Sequence, residues 1–294
     1  MINKSIIIVL SILFSQTINA QELLEILEKE QPKTINYTAS TFMYSRITYG
    51  HSVETRKNGT LDVQANSRFW NTPAIRTQSF FVDRMSTRFA LEYGISNRFM
   101  FGVGATTFDG KFDSFLKYKL VRQSDEKSPV TISLFQNASY YSRELLNDVS
   151  NRFSYTSQIL IAKRINQNLS FQIAPTFINR GIVYDENDTQ NHFAVGIGGR
   201  YKLGKHVSFA SEYYHVINPI ESTTTYGPFS LGVNWELSDV MLQFMLTNAV
   251  NKVEDAFITD TRNNFNFKNP NLNFGFNFTY TIHFKNGLKK LNNK

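Results

Sequence analysis

The segment N-L-N-F-G-F-N-F-T-Y-T-I-H-F, Asn271 to Phe284, decides the fold. Leu272, Phe274, Phe276, Phe278, Tyr280, Ile282 and Phe284 fill every second position without a break, and Asn273, Gly275, Asn277, Thr279, Thr281 and His283 fill the others. Successive side chains of a β-strand point to opposite faces, so this strand has one aromatic-rich apolar face and one hydrophilic face. Its length exceeds that usual in a soluble sandwich and suits a tilted strand crossing a bilayer, which takes roughly 9–11 residues plus its ends. The expectation is an antiparallel transmembrane β-barrel.

Composition agrees with that reading. The chain has 294 residues, 41% of them hydrophobic, with 26 Phe and 14 Tyr, enough for one large all-β domain. Mean hydropathy is −0.29. Beyond residue 20 no apolar run nears the length of a membrane helix, which excludes a helical membrane protein, whereas a barrel hides its membrane signal in alternation. Residues 1–20 read as a signal peptide for Sec-type export, with Lys4 as the positive start, Ile6 to Phe14 as the apolar region and Ile18-Asn19-Ala20 as the cleavage site. With no cysteine, a disulfide framework, a thiolate metal site and a lipoprotein-type anchor are all excluded. The formal charge is +7, but the basic residues are scattered, and the one cluster is Lys285, Lys289, Lys290 and Lys294. Nucleic acid is therefore not an expected partner.

Working from Asn271 toward the N-terminus, alternating runs recur between polar turns. Candidate strands cover 36–48, 60–69, 84–94, 99–107, 112–121, 130–141, 152–162, 169–179, 192–203, 207–216, 229–237, 240–248 and 271–284. The connections alternate long and short: 249–270, 217–228 and 180–191 are long, while 238–239, 204–206 and 163–168 are short. Outer-membrane barrels put long loops outside and short turns in the periplasm, so the last strand runs toward a periplasmic C-terminus. A closed antiparallel barrel with both ends on one side needs an even number of strands. The misfit is 36–48, the least cleanly two-faced run, which leaves twelve strands. Fourteen is the alternative if 249–270 or the N-terminal stretch hides more. The organisation is then a signal peptide (1–20), an N-terminal periplasmic or lumen-inserted segment (21–58) with a short helix over Glu22 to Glu30, a barrel (59–284) and a basic tail (285–294).

If the apolar sets face lipid, the alternate positions face the lumen. Candidate lining residues are Arg88, Glu92, Lys117, Lys119, Arg200, Glu212, Glu236 and Gln243. Charges of both signs on such a face are expected to pair into a stiffening lattice or to form a polar pore lining. Glu92, Arg200 and Glu236 fall at a similar depth near the short turns, where they would make a charged constriction. Inward glycines at 102, 104, 196, 198, 232 and 275 signal curvature or a compact body inside, for which residues 36–58 are the candidate.

Chemical motifs are sparse. The five histidines (His51, His192, His206, His215, His283) form no H-E-x-x-H or paired metal spacing, and there is no G-x-S-x-G and no phosphate-cradling glycine loop. No catalytic residue, metal or cofactor is expected, although a triad assembled from separate strands leaves no local motif.

The runs S-F-F-V-D (79–83), R-F-A-L-E-Y-G-I-S-N-R-F-M-F-G-V-G (88–104) and F-D-S-F-L-K-Y-K-L-V-R-Q (112–123) resemble an uncharacterised family of bacterial outer-membrane β-barrel proteins defined as a domain of unknown function. Y-G-H-S-V-E-T (49–55), I-A-P-T (173–176) and G-G-R-Y-K-L (198–203) extend the likeness over nearly all of the chain after residue 20. Where the family pattern carries S-H-R-F-G, this chain has Asn66-Ser67-Arg68-Phe69-Trp70, so no role for that histidine transfers. The resemblance implies a fold and the outer membrane of a Gram-negative bacterium, and no activity. The functional expectation is a passive channel or transport-type barrel for small polar solutes, with a scaffold barrel for a periplasmic or surface partner, or an outer-membrane hydrolase, as alternatives. Expected partners are outer-membrane lipid, a possible periplasmic protein and the barrel assembly machinery, which reads a terminal aromatic; Phe284 suits that role, yet ten residues follow it.

Overall fold

The structure, a computed structural model, describes residues 37–38, 40–70, 83–107, 110–143, 151–185, 187–266, 268 and 271–284. The signal peptide, the expected helix over 22–30 and the basic tail lie outside the described residues.

Twelve strands follow in chain order: β1 (Thr60–Trp70), β2 (Arg84–Gly94), β3 (Phe99–Thr106), β4 (Lys111–Val121), β5 (Thr131–Tyr141), β6 (Phe153–Arg164), β7 (Leu169–Asn179), β8 (Asn191–Lys202), β9 (Val207–Val216), β10 (Phe229–Leu237), β11 (Val240–Thr247) and β12 (Asn273–His283). Each pairs antiparallel with the next, and β12 closes the barrel on β1 with a register running from Thr60↔His283 to Phe69↔Phe274. The fourteen-strand alternative is thereby overturned. Among the described residues of 36–48 there is no barrel strand, and the described part of the long β11–β12 loop carries a short helix, α1 (Glu254–Thr259). Neither stretch has the unbroken period of two that a wall strand needs when lipid lies on one side.

The decisive feature is which face of each strand is covered. In β12 the polar residues Asn273, Asn277, Thr279 and Thr281 are buried, while Phe274, Phe278 and Tyr280 are exposed. In β7, Ser170, Gln172 and Thr176 are buried, while Phe171, Ile173 and Phe177 are exposed. A soluble barrel would show the reverse pattern; an apolar outside and a polar inside mark a wall solvated by lipid.

Turns at one end are short. The two-residue Ser238-Asp239 turn places Ser238 at φ 55°, a left-handed conformation of the kind that matches a tight hairpin to strand twist. The 122–130 connection at the same end is longer than the regular alternation implied and is pinned by a Ser124↔Ser128 bridge. Two wall ladders are irregular: β4–β5 shifts register between Lys119 and Val121, and β6–β7 pairing skips from Gln158↔Thr176 to Ile161↔Ile173 around Pro175, which has no N–H to donate.

Inside the barrel lies the segment 40–58, most of it buried, folded back on itself as a hairpin-like turn. Gly59, at φ 73°, takes the chain from this segment into β1 in a conformation open to glycine.

Candidate functional site

The site is the lumen and what fills it. The inner hairpin turns at Ile47 to Gly50, with Ile47 N donating to the Gly50 carbonyl at 3.0 Å and Ser52 N to the Ser45 carbonyl at 2.9 Å. Most of its backbone has no strand partner. At membrane depth, irregular backbone persists only where protein satisfies its polar groups.

The wall satisfies them with side chains. Glu212 of β9 accepts the backbone N–H groups of Thr48 (3.1 Å), Tyr49 (3.0 Å) and Gly50 (3.1 Å), and its Oε2 also takes the Thr48 hydroxyl at 2.5 Å. Lys117 Nζ of β4 donates to the carbonyls of Ser45 (2.9 Å), Ser52 (3.0 Å) and Glu54 (2.9 Å), using all three ammonium protons. Gln243 Nε2 and Asn234 Nδ2 both donate to the Ile47 carbonyl at 3.0 Å, and Asn277 Nδ2 donates to that of Thr48 at 2.9 Å. Gln172 accepts Val53 N at 2.8 Å and donates to the His51 carbonyl at 2.7 Å.

Of the sequence-derived lining residues, Arg88, Glu92, Lys117, Lys119, Arg200, Glu212 and Gln243 are buried, and Glu236 is half-buried. Glu92 accepts the Ser45 hydroxyl at 2.7 Å and lies 3.6 Å from Arg46. Lys119 pairs with Glu54 at 2.7 Å. Arg88 instead stays in the wall, bonding both carboxylate oxygens of Asp113 at 2.7 and 2.5 Å. Of the three expected at one depth, Glu92 is taken by the hairpin, while Arg200 and Glu236 lie within electrostatic reach of each other and Glu236 borders a cavity of about 250 Å³ at the short-turn end beside Arg56 and His283. Five of the eight predicted lining residues are thus ligands of the hairpin, a role that spacing alone does not reveal.

Apolar packing adds a small core. Phe42, Ile47, Tyr49 and Val53 of the hairpin are buried with Phe115, Phe135 and Tyr214 of the wall. Among the inward glycines, Gly198 answers to the hairpin, since a Cβ there would sit 2.6 Å from Ile47 Cδ1. Gly102 and Gly104 instead make room for Phe115 and Arg88 of the wall itself.

From the long-loop end the β11–β12 loop folds in and meets the hairpin. All six residues of α1 are buried. Glu254 accepts from Arg46 at 3.1 Å, and the Phe257 ring packs edge-on against Tyr49 with centroids 4.7 Å apart. Asp255 bonds Lys111 Nζ at 2.7 Å and the Ser139 hydroxyl at 3.0 Å. Burial raises the Asp255 pKa, but the Lys111 ammonium and the hydrogen bonds outweigh it and hold the carboxyl below its usual range. Above α1, at the long-loop mouth, lies a cavity of about 520 Å³.

The histidines have other occupations. His51 is fully buried between Phe115 and Phe135, 3.5 Å from Glu254; His192 Nδ1 faces the Asn218 carbonyl at 2.8 Å; His283 faces Asp239 at 3.2 Å.

Residues 42–282 match the membrane bound beta barrel domain (DUF5777). The chain belongs to that family. The match begins at Phe42, so the family's domain holds most of the inner hairpin as well as nearly all of the wall. No curated protein matches the chain in sequence. Among solved structures, the NanC porin is 11% identical with a TM-score of 0.47 over 76% of this chain and 98% of that one. The KdgM porin is 10% identical with a TM-score of 0.48 over 76% and 99%. An outer membrane channel from Pseudomonas putida F1 is 17% identical with a TM-score of 0.43 over 78% and 97%.

Proposed function

We propose that this member of the membrane bound beta barrel family is a gated, transport-type barrel of the Gram-negative outer membrane for small polar solutes, closed at rest by its own inner hairpin. Eight strands give a barrel that wall side chains fill, and 16–18 leave an aqueous channel; twelve strands need an additional body to close the lumen. The single observation that carries the reading is how that body is held. Individual wall side chains hold it through hydrogen bonds, with no continuous ladder, and each such bond exchanges for one to water at a net cost of about 0.5–1.5 kcal/mol between neutral groups and about 1.5–3 kcal/mol where Glu212 or Lys117 is the partner. A hairpin held this way is able to leave, and the Asn, Gln, Lys and Glu side chains it vacates then face water.

The test is conductance of the refolded full chain in planar bilayers. Glu212→Ala with Lys117→Met removes the two most heavily used anchors, and the expected result is longer or more frequent openings than in the wild type. A folded double variant as silent as the wild type contradicts gating by the hairpin. That outcome favours the second reading, a scaffold barrel for a periplasmic partner, which the filled lumen also suits. The hydrolase alternative has no supporting observation.

A further inference from the structure

The register of the wall extends past the strand ends at the long-loop mouth, and it gathers positive charge there. On β4 the inward set Lys117, Lys119 and Asp113 continues to Lys111; on β7 the buried Thr176 and Ile178 continue to Arg180; ahead of β6 the inward position before Ser154 is Arg152. These residues line the 520 Å³ cavity above α1, together with Arg143 and Arg262, so among the described residues five basic side chains and two acidic ones, Asp255 and Asp260, border it. Both acids are already engaged: Asp255 with Lys111 at 2.7 Å and Asp260 with Arg262 at 3.0 Å.

Arg152 and Arg180 reach no carboxylate among the described residues. Arg152 Nη1 donates to the Arg143 carbonyl at 2.9 Å, and Arg180 Nη1 donates to the Thr259 hydroxyl at 3.0 Å while its guanidinium lies over the Tyr184 ring, 5.3 Å from the centroid. Their forks are therefore positioned by neutral partners, and among the described residues Arg180 acts on a carboxylate only through space, on Asp255, which Lys111 already holds. The cavity floor on this side is Ser139 and Ser154, which sit opposite each other on β5 and β6.

We propose that this basin is a binding site for a small soluble anion carrying a carboxylate or phosphate group. Planar guanidinium forks suit carboxylate and phosphate oxygens in paired hydrogen bonds. The volume lies inside the roughly 300–1,000 Å³ range of small-molecule sites. The lining comes from inward positions and loop residues, so the favoured source is a soluble solute and not a lipid headgroup in the surrounding leaflet. Because binding is read at equilibrium, this site stands or falls separately from conduction.

The test is calorimetric titration of the detergent-solubilised full chain with gluconate, glucose 6-phosphate and neutral glucose, and in a separate arm with phosphate-bearing lipopolysaccharide. Retained heat-dependent gel mobility serves as the folding control for each variant. The expected result is saturable binding of at least one soluble anion about tenfold or more tighter than glucose, weakened by salt, and reduced about tenfold by Arg152→Gln and separately by Arg180→Gln. Arg152→Lys should recover part of the loss through its charge. Equal or absent binding of all three soluble probes, anion binding indifferent to both folded variants, or binding confined to the lipopolysaccharide arm each overturns the proposal.

Discussion

Single residues in this barrel are read by what their side chain must satisfy. Glu212 is buried in a wall position that periodicity marks as inward, and its carboxylate serves three successive backbone N–H groups of the hairpin. Leaving those donors unsatisfied costs about 1–3 kcal/mol each, so Glu212→Ala is expected to loosen the hairpin. The outward positions obey a different rule. Ile173, near the middle of β7 and 47% exposed, faces lipid, so Ile173→Arg should destabilise the barrel by roughly 2–4 kcal/mol, measured by urea unfolding in lipid vesicles. A cost below about 1 kcal/mol would place that side chain outside the hydrocarbon. At this scale the sequence was legible for direction and opaque for partner. Alternation alone marks Lys117, Glu212 and Gln243 as inward. Their partners are backbone groups of a segment without periodic signal, so spacing suggested ion pairs or a pore lining.

Among the elements, β2, β7, β9 and β10 match the sequence reading at both ends, because each is a clean alternation bounded by turn residues. The segment of Asn271 to Phe284 narrows to β12, Asn273–His283, and its pairing with β1 closes the barrel. Residues 41–48 form no wall strand because both their polar and their apolar side chains are used inside: Ser45 and Thr48 bond Glu92 and Glu212 of the wall, Thr41 N bonds Glu54 of the same segment, and Phe42 and Ile47 pack into the lumen core, so no apolar face is left for lipid. Six residues, E-D-A-F-I-T, are too few to show a helical period, and α1 was accordingly invisible. Its docking has a pH signature. The depressed Asp255 pKa means that the contact with Lys111 contributes stability above the ordinary aspartate pKa of about 3.9 and loses it as pH falls through the lower folded value. Amide exchange across 254–259, normalised to intrinsic rates, should therefore stay slow from neutral pH to about pH 5 and accelerate in stronger acid. In Lys111→Met, burial of Asp255 is opposed only by Arg180 and the Ser139 hydroxyl, and the onset should move to higher pH. An onset indifferent to Lys111 would mean that the pair does not hold the helix.

For the whole molecule, the wall and its filling form one hydrogen-bonded system. Twelve strands enclose more space than their own side chains occupy, and the chain supplies the remainder from its N-terminal side and from the β11–β12 loop, which meet at Arg46 and Glu254. The central claim is that the hairpin is the closure, and the lack of native cysteine allows a clean test. The hydroxyls of Thr48 at the hairpin tip and Ser230 on β10 are 2.5 Å apart. A chain carrying Thr48→Cys and Ser230→Cys can therefore form a single possible disulfide that ties the hairpin tip to the wall. Single-channel recording of that double variant, oxidised and then reduced in the same bilayer, should show a silent barrel that begins to open once the disulfide is broken. Equal conductance before and after reduction would contradict the account.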